Sequence, residues 1–162
     1  MNRFKRRPKT ILGRIAAVTA PEFSAEGMAE ATQPLEHKGF AIAVVSSKAG
    51  MLTGRTEKGQ DVNLVPASTV GDMEFGDYCA LILPGSSHRI EDSARAALDK
   101  FVAEGKPVIA VAEDVNLLAE SLETNDISGA SAVLVINGRV FAATSGETAG
   151  EAIEVFAEAL AA

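Results

Sequence analysis

Apolar residues in this chain come in two arrangements, short unbroken runs and stripes at helical spacing, and the two alternate. Arg14 to Ala20 (RIAAVTA) and Phe40 to Ser46 (FAIAVVS) are short, β-rich runs, so each predicts a strand buried on both faces. Between them Met28, Ala31 and Leu35 recur at helical spacing within Ala25 to Lys38, and Gly39 supplies the stop. Strand, helix, strand is the crossover unit of a parallel sheet. The alternation then resumes. Asp77 to Leu83 (DYCALIL) predicts a third core strand, ended by Pro84-Gly85. Ile90, Ala94, Ala97, Leu98 and Phe101 predict a helix over Ile90 to Glu104, stopped by Gly105. Pro107 to Ala112 (PVIAVA) predicts a fourth strand, followed by a short helix over Val115 to Leu122.

Two segments break this rhythm. Met51 to Thr69 holds Gly54, Gly59 and Pro66 with alternating Val62 and Leu64, which predicts a hairpin-like excursion. Ala132 to Ile136, Asn137-Gly138, then Arg139 to Ala143 carries the strongest short-range hairpin signal in the chain. Glu147 to Leu160 closes with Ala149, Ala152, Ile153, Phe156 and Leu160 on one helical face. The expected architecture is α/β: one doubly wound, mostly parallel sheet between helical layers, a three-layer sandwich over 14–162 behind a basic tail at 1–13.

Composition narrows the function classes. The chain is 47% hydrophobic but only 5% aromatic, so its core is built from Ala, Val, Leu and Ile. A net charge of −7 argues against a nucleic-acid partner. Arg3, Lys5, Arg6, Arg7 and Lys9 cluster at the start, where a solvated tail is expected. That cluster followed by ILGRIAAVTA imitates a secretory signal, but Gly13 and Arg14 interrupt the apolar run, so a cytoplasmic protein with no membrane partner is expected. The lone Cys79 allows no internal disulfide and no cysteine-based metal cluster.

LILPGS (Leu81 to Ser86), EGKPVIAVAED (Glu104 to Asp114) and VLVINGRVFAAT (Val133 to Thr144) stand in the order and spacing of the ThiJ/PfpI superfamily. AEATQPLEHKGFAIAVVSSKAGMLTG (Ala29 to Gly54) resembles that family's acidic helix, second strand and hairpin. The resemblance implies a flavodoxin-like, class I glutamine amidotransferase-like fold and, by analogy, a homodimer. In active members the strand after Gly-Lys-Pro-Val runs into a nucleophile elbow, typically Ile-Cys-His-Gly. Here Val111 stands at the Ile, Ala112 at the Cys, Glu113 at the His and Asp114 at the Gly. Glu30, four residues before Pro34, matches the family glutamate. Leu83-Pro84-Gly85-Ser86 matches the Leu-Pro-Gly-Gly loop, which supplies backbone donors near the nucleophile.

A methyl group at Ala112 offers neither a thiolate nor an activated hydroxyl, so nucleophilic catalysis has no agent there. The elbow resembles the degenerate one in the C-terminal domain of large-subunit catalases. It implies a pseudoenzyme-type domain with no catalytic residues, cofactor or metal, acting as a binding, oligomerising or stress-related accessory protein. The alternative is a hydrolase, glyoxalase or deglycase working through Glu30 and Glu113, or through His88. Each residue has a plainer reading. Asp114 suits an N-cap for the helix behind it, accepting from Asn116 or Leu117. Glu30 is either a solvated helix acid or a retained pocket residue. Ser86, Ser87 and His88 are neighbours in sequence, and adjacent side chains rarely aim at one another. Cys79 lies six residues before Gly85, roughly 20 Å at ~3.3 Å per residue from the edge where α/β sites form, and is expected to be a small buried hydrophobe.

Overall fold

The computed structural model describes residues 12–21, 23–85, 90–111, 114–121, 134–136, 140–143, 153–154, 156–158 and 160. In chain order they form β1 (Gly13–Val18), α1 (Ala25–His37), β2 (Phe40–Ser46), β3 (Leu52–Arg55), β4 (Asp61–Leu64), β5 (Ser68–Thr69), β6 (Ala80–Leu83), α2 (Glu91–Ala103), β7 (Val108–Val111), α3 (Val115–Ser121), β8 (Leu134–Ile136) and β9 (Val140–Ala143). Residues 153–154, 156–158 and 160 are helical. Seven strands make one sheet in the order β5-β2-β1-β6-β7-β9-β8. Every pairing in it is parallel except β8 with β9. The five central strands therefore run second, first, third, fourth, fifth, which is the flavodoxin-like order.

Alternation along each strand splits the core in two. Ala16, Val18, Leu81, Leu83, Val108 and Ala110 face α2 and α3, meeting Leu98, Phe101 and Leu118. Ile15, Ala17, Ala80, Ile82 and Ile109 face the other way, meeting Met28, Ala31 and Leu35 of α1 together with Ile153 and Phe156. Both faces are covered, which is why the strands read as unbroken apolar runs. The three-layer sandwich expected from sequence is the fold observed.

The boundaries shift where hydrogen bonds redirect the backbone. The first strand starts at Gly13, one residue before the expected boundary. The third core strand is shorter than DYCALIL. Phe75–Asp77 form a 3-10 turn closed by Tyr78 N–H to the Phe75 carbonyl, so pairing begins only at Ala80. The Met51–Thr69 excursion is a true hairpin, β3 antiparallel to β4, followed by the two-residue edge strand β5. The hairpin leaves the main sheet and docks on the β1–α1 connection. Arg55 N–H donates to the Phe23 carbonyl at 2.9 Å, and Glu57 N–H donates to Glu26 Oε1 at 3.0 Å. Gly54 permits this docking. A Cβ there would lie 2.5 Å from the Phe23 ring and 2.6 Å from the Phe23 carbonyl oxygen. The Asn137-Gly138 turn lies outside the described residues, but its flanking strands pair as expected.

Candidate functional site

Parallel strands place their C-terminal ends on one edge, and the chain's buried polar residues gather there. Among the described residues only Thr19, Thr32, Ser46 and Asp114 are buried and polar. Thr32 is accounted for by its own helix, its hydroxyl donating to the Met28 carbonyl at 2.9 Å. The other three stand at the ends of β1, β2 and β7. Burying polar groups is costly unless each finds a partner, so this concentration marks the edge as the chemically distinctive part of the fold. Thr19 N–H donates to the Val45 carbonyl at 2.9 Å, and the Ser46 hydroxyl donates to the Lys48 carbonyl. Neither residue stood out in sequence. Both end an otherwise apolar run, which was the available signal.

The turn after β6 is tied to the turn after β7 by a hydrogen bond. Gly85 N–H donates to Asp114 Oδ2 at 2.7 Å, across 29 residues of chain. Gly85 has φ 111°, a conformation that suits glycine and strains other residues. Asp114 is wholly buried. Beyond the expected cap role, Asp114 Oδ2 accepts from the neighbouring turn. Local pattern could not show this, because the donor belongs to another βα unit. A carboxylate accepting from a backbone N–H makes one of the stronger hydrogen bonds in proteins.

Of the remaining candidates, few are described. Glu30 is exposed on α1, the solvated one of its two readings. Ser86, Ser87, His88, Ala112 and Glu113 lie outside the described residues, so the acid pair Glu30/Glu113 and the Ser/His reading do too. Cys79 sits at the opposite end of β6, as expected, but is only half-buried rather than enclosed on both faces. It precedes the paired residues, its N–H donating to the Arg14 carbonyl at 2.9 Å. Its thiol rests against Gly13, where a Cβ would come within 2.8 Å of the sulfur. Burial pushes the thiol above its ordinary pKa, against weaker opposing pulls from a backbone hydrogen bond and Lys106. A thiol so placed is a poor nucleophile. Among the described residues, no group of three or more His, Cys, Asp or Glu could hold a metal ion, and no helix is long and apolar enough to cross a membrane.

A mostly parallel sheet of this order is the fold of the DJ-1/PfpI family. The family's sequence model matches residues 13–137, and the chain belongs to it. The fold is similar to a two-domain protein from Anabaena variabilis containing DJ-1/ThiJ/PfpI-like and ferritin-like domains, with TM-score 0.75 and 14% identity over 91% of this chain. This chain spans 48% of that protein's length. It is also similar to a ThiJ/PfpI domain protein from Brachyspira murdochii, with TM-score 0.71 and 13% identity, covering 93% of this chain and 97% of that one. Oxidized DJ-1 from Toxoplasma gondii gives TM-score 0.70 and 16% identity, covering 92% of this chain and 96% of that one. No curated protein sequence matches the chain.

Proposed function

We propose that this chain is a non-catalytic member of the DJ-1/PfpI family, acting as a binding or oligomerising accessory domain, with a homodimer as its assembly. The observation that carries the reading is the Gly85–Asp114 contact. The loop that matches the family's backbone-donor loop spends the Gly85 N–H on the chain's own carboxylate. An oxyanion arriving there would find this donor already taken. The sequence supports the same reading, since Ala112 stands at the nucleophile position. The exposed Glu30 has no cysteine to orient, and Cys79 lies at the far end of its strand.

The test is incubation with methylglyoxal, following lactate release and protein adducts. No turnover above an inert protein control is expected. Turnover that vanishes in Glu30→Gln or His88→Ala would replace this reading with the hydrolase, glyoxalase or deglycase alternative.

A further inference from the structure

We propose that the outer edge of β2 pairs with the same edge of a second copy of this chain, so that one sheet runs through both protomers. The inference rests on the homodimer proposed above and names the surface that forms it. The edge strand β5 meets β2 only at Val45 and Ser46, which leaves Phe40–Ala43 uncovered among the described residues. Successive backbone groups of a strand point to opposite sides. The Gly39 and Val45 carbonyls turn inward, accepting from Leu12 and Thr19 N–H at the two ends of β1. The Val44 and Ser46 carbonyls turn outward, accepting from Ala67 and Val70 N–H. The N–H and C=O of Phe40 and Ile42 therefore face outward too, and no backbone partner meets them among the described residues. The strand carries no usual guard against pairing, since FAIAVVS holds no charge and no proline. This pattern suits its own copy. In an antiparallel pair about a twofold axis at Ala41, Phe40 stands opposite Ile42 of the second copy, and each such pair exchanges both N–H···O bonds. The two Ala41 residues then face each other as the non-bonded pair, where Cα atoms approach to about 4.5 Å and a small side chain fits. Met51 and Val65, 62% and 79% exposed, stand at the base of the β3–β4 hairpin, whose Leu64 joins the same core cluster as Ile42 and Val44. The chain passes from Val65 into β5, so these apolar side chains border the same margin of the sheet.

Charge at the axis tests the pairing in the full-length chain. Wild type should sediment as a dimer. Ala41→Glu and Ala41→Lys each set like charges opposite one another and should raise the dimer dissociation constant on the order of a hundredfold. An equimolar mixture of the two should dimerise again, because the opposed charges then attract. Should either charged variant lose its fold by circular dichroism, Ala41→Cys in a Cys79→Ala background decides. Its oxidation should yield a disulfide-linked dimer, since facing non-bonded residues lie within disulfide reach, and far faster than for Lys100→Cys on α2 in the same background. A folded charged variant as dimeric as wild type, a mixture that stays monomeric, or cross-linking of Ala41→Cys no faster than of Lys100→Cys overturns the edge pairing and leaves the homodimer standing. A monomeric wild type overturns both, so the two failures are told apart.

Discussion

Replacing Asp114 by alanine removes this acceptor from the part-buried Gly85 N–H. A hydrogen bond to a charged group contributes about 1.5–3 kcal/mol. For a domain of this length each kcal/mol lowers the melting temperature by roughly 2–4 °C, so Asp114→Ala should melt roughly 3–12 °C below wild type. Asp114→Asn keeps a carbonyl oxygen where Oδ2 stands, 2.7 Å from the Gly85 nitrogen, and gives up only the charge. It should fall between the two, nearer wild type, because the weaker neutral bond is offset by cheaper burial. Thermal melts followed by far-UV circular dichroism, with urea titrations as a check on two-state behaviour, measure both. An alanine variant that melts with wild type would mean the contact carries no stability. A gain in both variants would mean the fold holds this carboxylate at a cost, as active sites do.

Other expectations test the supporting structure. Gly54→Ala should destabilise by about 1–3 kcal/mol in urea titration, since its Cβ would overlap both the Phe23 ring and the Phe23 carbonyl. A variant as stable as wild type would mean the hairpin does not dock on Phe23. Iodoacetamide should label Cys79 slowly in buffer and quickly in urea, because the half-buried thiol titrates above its ordinary value. A folded-state pKa that is raised helps stability below the unfolded value and loses that help as pH rises through the folded one, so Cys79→Ala should flatten the alkaline fall in melting temperature beyond pH 9.0. Sedimentation equilibrium should return twice the chain mass; a monomer at all concentrations would remove the homodimer.

The fold was legible because both layers and strands follow local rules. Buried strands such as FAIAVVS and stripes such as Ala94, Ala97, Leu98 and Phe101 state their burial directly in the sequence. Boundaries were legible only where glycine or proline sets them. The 3-10 turn at Phe75–Asp77, closed by Tyr78 N–H to the Phe75 carbonyl, delays β6 to Ala80, and nothing in the apolar run DYCALIL marks it. The missing nucleophile at Ala112 could be read at once, because it is a matter of residue identity. What stands near it could not. The Asp114–Gly85 bond joins two crossover units, and the burial of Thr19 and Ser46 follows from strand order. Local pattern made Asp114 a helix cap, and only the register of β6 beside β7 reveals its second partner.

A non-catalytic edge requires the Gly85 N–H to be occupied in the resting protein, and amide hydrogen exchange at Gly85 measures that occupancy. A backbone donor held at 2.7 Å by a buried carboxylate should exchange orders of magnitude more slowly than an open loop amide, and should lose that protection in Asp114→Ala while keeping most of it in Asp114→Asn. Exchange in wild type as fast as in an exposed loop would show the donor free for a substrate oxyanion and would contradict the non-catalytic reading at its base.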